Sequence, residues 1–476
     1  MTEAEAEAIY DAGKEAVVAL LLKMDATITA LSARVQALED RLAKDSHNSS
    51  KPPSSDPPFA PFKKPQSLKP KSGKKSGGQQ GHPGHTLCLS DSPDQIQEHL
   101  PLACHTCGHS LVGLPSARSE RYERRQVFDL PPLALQVTEH RVHTLLCPCC
   151  GGKSAGHFPP GVEQPVQYGP RLSGLCVYLQ QYHLLPFGRL SELLQDMFGA
   201  CLSEGTLWNL TERLRSTLAP VQEAIDSALE QGALLHSDET GMRLGKKLCW
   251  LHVYCTEYLT RYAWHKRRGK VAMQEIGVLP AFGGTAVHDG WSGYFAFTNC
   301  THALCGAHLL RDLVFVAERF GKSGAWANAM KCLLQEMKAA ADQARASGQT
   351  QAAGLDVFLS RYGAILKAGY GTNPDPPPSE KASFSLRLLD RFRDWKACIC
   401  RFAETVWVPF DNNQAERDLR MVKVRQKVSG CFRSEAGAEA FCVIRGYLST
   451  LKKQGIDLLP ALQSAFQGKP PIPRLA

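Results

Sequence analysis

The sequence has no apolar run approaching the roughly 18 residues that a membrane-spanning helix needs, and its mean hydropathy is −0.24. A membrane protein is therefore not expected. A basic leader is missing too: Met1, Thr2, Glu3, Ala4 and Glu5 open the chain on acid, against a secretion signal. Neither sign of charge dominates: 55 Lys and Arg against 46 Asp and Glu leave a net +9 over 476 residues. That mild basic excess permits a polyanionic partner without requiring one. Seventeen cysteines in so long a chain do not make a small disulfide scaffold, and the count is odd. A reducing compartment is expected, with most thiols buried. What is present is enough apolar residue, 43%, to build a sizeable core. The length suggests two to four domains.

The first segment, residues 10–45, carries a heptad. Val17, Leu21, Met24, Ile28, Leu31, Val35, Leu38 and Leu42 step by four and three in alternation. Such a seam predicts a coiled-coil helix that pairs two protomers, rather than a helix packed on its own globule. Residues 46–85 change to Pro, Gly, Ser and Lys. Lys51, Lys63, Lys64, Lys69, Lys71, Lys74 and Lys75 face only Asp45 and Asp56. This linker cannot fold alone. It reads as a solvated tether, and equally as a basic arm lying on phosphates.

Residues 86–165 hold two C-x-x-C-G knuckles, Cys104 and Cys107 before Gly108, and Cys147 and Cys150 before Gly151. Four thiolates suit a closed tetrahedral zinc site. Four independent buried cysteines or a redox pair explain the spacing less well, although Cys149 adds a fifth thiol. Tyr122 to Leu146 alternates like short strands. In residues 166–230, Leu190, Leu193, Leu194 and Met197 mark one helix ended by Gly199. Ser203 caps a second with Leu207, Leu210, Leu214 and Leu218 inward. A packed hairpin is preferred there to a DNA-reading pair.

From residue 231 the pattern is α/β. Short strands are expected at Ala233–Leu235, Trp250–Cys255, Arg261–His265 and Gly284–Val287, so that Asp238 and Asp289 sit at or just after strands. Arg311 to Phe402 reads as helical, with Trp326, Met330, Leu334 and Met337 at helical spacing. A proline-rich loop, Asn373 to Pro378, interrupts it. Trp326 and Trp395 are read as core rather than as stacking platforms. Asp411, Asn412 and Asn413 look like the cap of a helix over Gln414–Gln426. Glu416, Arg420, Lys423 and Lys427 share one face of that helix, and Ala415, Leu419 and Val422 share the buried one. Two aspartates and a glutamate on one rigid edge could hold two Mg²⁺ ions about 4 Å apart for phosphodiester chemistry. The alternative is an ordinary surface Glu416–Arg420 pair. Alone, three carboxylates are a weak signal.

The combination is specific. The zipper, the Asn-Ser-Ser-Lys-Pro-Pro linker (Asn48 to Pro53) and the paired knuckles come in that order. HSDETG (His236–Gly241), HDGWSGY (His288–Tyr294), HALCGAHLLRDL (His302–Leu313) and DNNQAERDLR (Asp411–Arg420) follow. Over roughly residues 15–460 the chain resembles a transposase of the insertion sequence 66 family. The resemblance implies a multidomain α/β protein with a ribonuclease H-like core. Its first part would be residues 231–310, its helical insertion 311–405, and its catalytic helix and C-terminal part 406–462. It implies a DDE triad of Asp238, Asp289 and Glu416 holding two Mg²⁺ or Mn²⁺ ions, with Lys423 as a trailing basic residue. Structural zinc would sit on Cys104, Cys107, Cys147 and Cys150, and Arg420, Lys423 and Lys427 would contact DNA.

The implied activity is binding of terminal inverted repeats, then strand cleavage and strand transfer, in a bacterial cytoplasm and close to the nucleoid. Target DNA, a second protomer and small accessory proteins of the same element are the expected partners. A non-catalytic zinc-containing DNA-binding regulator and a nuclease without strand transfer are the rivals. One departure stands out: the family's Cys-Trp-Ala-His is here Cys305, Gly306, Ala307, His308. A second zinc site there lacks further ligands nearby in the sequence. The pair is read as supporting the active site from behind, in preference to His308 approaching substrate.

Overall fold

The computed structural model describes residues 2–45, 48, 81, 87–116, 122–377 and 382–475. Most of the basic linker, and Pro378 of the proline-rich loop, lie outside these residues. The chain divides into two compact units. One comprises 1–66, 139–195 and 201–476, the other 67–138 and 196–200.

In the larger unit, α1 (Glu3–Asp11) and α2 (Lys14–Leu42) come first. Leu21, Met24, Ile28, Leu31, Val35, Leu38 and Leu42 of α2 are all exposed. Near its C-terminal end α2 meets Arg319, whose guanidinium is 3.0 Å from Glu39 and 3.3 Å from Asp40. By length and composition α2 is apolar enough to cross a membrane, a departure from the sequence expectation. The expectation failed because Lys23 and Asp25 break the run for the eye without lowering its average much. A hairpin, β1 (Thr144–Leu146) and β2 (Lys153–Ala155), follows. Of the strands expected between Tyr122 and Leu146, only β1 forms. Residues 122–143 have the alternation but no ladder partner, and alternation alone does not make a sheet.

Next come α3 (Pro170–Val177), α4 (Phe187–Phe198) and α5 (Glu204–Glu230). Ser203 caps α5, its hydroxyl accepting the Thr206 N–H at 3.1 Å. Leu207, Leu210, Leu214 and Leu218 are buried as the periodicity predicts, whereas Met197 of α4 is exposed. The inward face of α5 continues through Val221, Ile225 and Leu229.

The centre is a five-stranded sheet of β3 (Leu234–Leu244), β4 (Lys247–Cys255), β5 (Thr260–His265), β6 (Thr285–His288) and β7 (Thr301–Leu304). Helices α6 (Lys270–Ile276) and α7 (Val278–Ala281) lie between β5 and β6 in sequence. The order is β5-β4-β3-β6-β7. The first three strands meander antiparallel, and β6 and β7 run parallel to β3. β3 is much longer than the three-residue strand expected from Ala233–Leu235. Its polar half, His236 to Thr240, gains a full antiparallel ladder with β4, and tertiary pairing overrides the local pattern.

Five helices follow: α8 (Gly306–Arg319), α9 (Ala325–Ala346), α10 (Leu355–Thr372), α11 (Phe384–Asp394) and α12 (Lys396–Glu404). They share their own core of Leu313, Val316, Trp326, Met330, Leu334, Met337, Tyr362, Phe392 and neighbours. Trp326 is buried in it and donates to Ser385 Oγ at 3.1 Å; Trp395 stacks on Phe295 with centroids 4.5 Å apart. The excursion starts and ends at one point: the Gly306 N–H donates to the Phe410 carbonyl at 2.8 Å. A Cβ on Gly306 would lie 2.2 Å from the Phe410 ring. The chain closes with α13 (Asn413–Ser429), α14 (Glu435–Lys453) and α15 (Leu458–Phe466). Ala415, Leu419 and Val422 of α13 join Met242, Cys249, Leu251 and Val253 in one apolar cluster, which seats α13 on β3 and β4.

Candidate active site and zinc knuckles

The sheet register does the first part of the positioning. Leu234 pairs with Thr285, Leu235 with Ala286 and His236 with Val287. Counted two residues beyond the last paired rung, the same register matches Asp238 with Asp289. β6 stops at His288, so Asp289 starts the loop while Asp238 continues along β3. Both carboxylates are braced by backbone. Asp238 Oδ1 accepts the Glu239 N–H at 2.8 Å, and Asp289 Oδ1 accepts the Trp291 N–H at 2.9 Å.

The loop after β6 is fixed by two neutral histidines. His288 Nδ1 accepts the Gly290 N–H at 3.1 Å, which leaves Nε2–H to donate to His302 Nδ1 at 3.0 Å. His302 Nε2–H then donates to the Phe297 carbonyl at 3.0 Å. The partners assign these tautomers. Burial pushes the pKa of both rings down, that of His288 strongly.

Asn412 ties the start of the helix that bears Glu416 to β3. It occupies the N-cap position of α13, but its side chain makes no cap bond. Instead Nδ2 donates to the Ser237 carbonyl at 2.8 Å and Oδ1 accepts from His236 Nδ1 at 2.8 Å. Its own N–H donates to Cys305 Sγ at 3.2 Å. The first turn of α13, with Glu416, is thereby laced to β3 beside Asp238. The Asp238 carboxyl is held well above the usual carboxylate range, first by burial, then by the negative charges of Glu239, Asp289 and Glu416. The three carboxylates thus share one electrostatic neighbourhood.

Clustered like charge with hard oxygen donors fits a divalent cation, which would relieve the repulsion. Glu416 Oε1 is moreover buried without a hydrogen-bond partner. Among the described residues, however, the group of three ligand atoms within 4.8 Å of one another is Cys305, His308 and Glu416, without either aspartate. Glu416 faces His308 Nδ1 at 3.6 Å and Arg311 at 3.9 Å. Burial raises its pKa, opposed by Arg311.

One acid was missed by the sequence reading. Glu239 lies next to Asp238 inside the HSDETG motif, and its side chain is buried. It accepts Arg268 Nε at 2.9 Å and Nη2 at 2.6 Å, and the Tyr294 hydroxyl at 2.5 Å. Arg268 is sandwiched between the Trp250 and Trp291 rings. Glu239 therefore braces the loop after β6 against β3. Its place inside the motif was the available signal.

Arg420, Lys423 and Lys427 of α13 are exposed. Arg420 is near enough for its charge to act on Glu416. Lys423 Nζ donates to the Gly241 carbonyl at 3.0 Å, so it is already tied to β3. Lys427 lies in the last turn.

The two knuckles, one in each unit, have the same local form. The Cys104 N–H donates to the His109 carbonyl and the Gly108 N–H to the Cys104 carbonyl. Cys147 with Gly152, and Gly151 with Cys147, repeat the pattern. Gly108 and Gly151 take φ of 71° and 72°, left-handed values that glycine adopts without strain. The Cys104 thiol is drawn down in pKa chiefly by the Cys107 amide, and the Cys147 thiol chiefly by the Cys150 amide. Amides aimed at a sulfur favour the thiolate that zinc requires.

A family model described as "Transposase IS66 family" matches residues 165–440, more than half of the chain. The chain belongs to the IS66 transposase family. A second model, the zinc-finger binding domain of transposase IS66, matches residues 101–151, which span both knuckles, and supports structural zinc in this transposase. A family of unknown function matches residues 2–87. No curated protein matches the chain. Membership of the IS66 family makes the protein a DNA-acting transposase.

Proposed function

We propose that the protein cuts the ends of its own mobile element and joins them to target DNA, using Asp238, Asp289 and Glu416 as a DDE triad. The observation that carries this is the β3–β6 register, which supports a shared position for Asp238 and Asp289, with α13 bringing Glu416 to the same strand. The meander of three antiparallel strands extended by two parallel ones favours a ribonuclease H-like core. Two Mg²⁺ or Mn²⁺ ions, when bound, supply activation of the attacking oxygen and charge relief on the leaving oxygen. Asp238 and Asp289 would hold them and Glu416 would complete the cage. Glu239 and Asn412 keep that cage in shape.

Water first cleaves the element end and frees a 3′-OH, which then attacks a target phosphodiester in line. One P–O bond forms as another breaks, and no protein–DNA bond intervenes. Arg420 and Lys427 lie ready for backbone phosphates, and Lys423 would join them by releasing the Gly241 carbonyl. Cys104, Cys107, Cys147 and Cys150 would hold one zinc ion, and the zinc module with the linker would position the terminal inverted repeats. The exposed seam of α2 favours pairing of two protomers, so that two DNA ends are held together. A membrane role is disfavoured, because Lys23 and Asp25 fall in the middle of α2. The setting is the bacterial cytoplasm near the nucleoid, with accessory proteins of the same element as partners.

Asp238→Ala tests the reading. Mg²⁺-dependent strand cleavage should fall by about a thousandfold, because several kcal/mol of charge stabilisation are lost. Binding to element-end DNA should persist. Unchanged cleavage would favour the non-catalytic regulator. Cleavage without joining of pre-cut ends in the wild type would favour a simple nuclease.

A further inference from the structure

Glu416 does not group with the two aspartates, and what it faces instead is specific. One ligand atom from each of Cys305, His308 and Glu416 lies within 4.8 Å of the other two. His308 Nδ1 and Glu416 Oε1 stand 3.6 Å apart, too far for a hydrogen bond, and both are buried without a hydrogen-bond partner. Two unpartnered polar atoms facing each other are costly unless something joins them. Cys305 and His308 are three apart at the start of α8, which presents both on one side of the chain.

A thiol and an imidazole select zinc-class ions over magnesium. Three protein ligands with an open fourth position are a familiar zinc arrangement. The Glu416 side chain is about one-third exposed, which gives an ion and its water a way in. The competing cation is Arg311, 3.9 Å from Glu416 and beyond hydrogen-bond reach of it.

We propose that Cys305, His308 and Glu416 form a binding site for a soft divalent cation of the zinc class, and that occupancy withholds Glu416 from Asp238 and Asp289. The Cys305 thiol proton leaves to solvent as the metal–sulfur bond forms, His308 binds neutral and Glu416 binds ionised. Zinc then acts as an inhibitor that competes for one carboxylate rather than for DNA. The binding site stands on geometry alone; its inhibitory consequence rests on the catalytic role proposed for Glu416.

The test uses the full chain with its knuckles already loaded with zinc. Cobalt(II) is titrated as the probe, and thiolate-to-cobalt absorption and bound metal per chain are recorded for wild type, Cys305→Ser and His308→Gln. In parallel, Mg²⁺-dependent cleavage is measured against added zinc, each protein referred to its own zinc-free rate. Wild type should take up one more ion per chain than either variant. Its cleavage should be at least about tenfold more sensitive to zinc than that of the variants. Equal cobalt uptake by all three proteins overturns the site. Extra uptake with identical zinc sensitivity overturns the withholding of Glu416. Extra uptake with no cleavage by any of the three supports the site and counts against the proposed reaction instead.

Discussion

At the scale of single residues, Asn412 shows how much can rest on a side chain whose type signals something else. Its position in the chain marks a helix cap, yet its amide is spent on Ser237 and His236 inside the sheet. The place is legible in the sequence and the partners are not, because they lie 175 and 176 residues away. Asp238, Asp289 and Glu416 were legible only as a set, through the motifs around them. Glu239 sits inside one of those motifs, but its bracing role depends on Arg268, which lies in none of them.

His252, fully buried on β4 with both ring nitrogens unpartnered, yields a pH prediction. Burial pushes its pKa down to about 4, assisted by the nearby charges of His265 and Arg268. The neutral ring is the folded form, so its contribution to stability is intact above the ordinary value of about 6.5. That contribution is lost as pH falls from there toward 4. Between pH 7 and pH 5 this residue should cost roughly 2 kcal/mol of stability. Urea unfolding at the two pH values should show that loss in the wild type and a smaller one in His252→Leu.

At the scale of elements, helices were more legible than strands. α9 and α5 announced themselves by apolar spacing and, for α5, by the Ser203 cap. β3 did not, because half of it is polar and its reason for being a strand is β4. The expected strands between Tyr122 and Leu146 failed for the converse reason, a pattern without a partner. α13 was foreseen nearly to its ends, since its buried and basic faces are distinct. The contact that seats the segment before it was invisible. Gly306 must be small because the Phe410 ring lies over it. Gly306→Ala should therefore move the 410–412 strand of chain and with it the start of α13. Overpacking should lower stability by about 1–3 kcal/mol in a denaturant melt. Cleavage should fall more than the melt implies, on the order of a hundredfold, because small misplacements of catalytic groups are costly.

At the scale of the whole molecule, the sequence conveyed the succession of segments, and the family match over 165–440 agrees with its central part. α2 remains a helix whose apolar seam is uncovered in a single chain. Ile28→Asp with Leu31→Asp, two seam positions in adjacent turns, should convert a dimer to a monomer in sedimentation velocity. The core should melt as before. A wild type that already sediments as a monomer would remove the zipper from the scheme.

The suture between Gly306 and Phe410 has a consequence for how such a protein can change over time. Because the helical excursion leaves and rejoins the sheet at one stitch, its contour length is uncoupled from the spacing of the acidic side chains. Helices beyond the first turn of α8 could be lengthened, trimmed or traded between lineages while the chemistry at the sheet edge stays where it is.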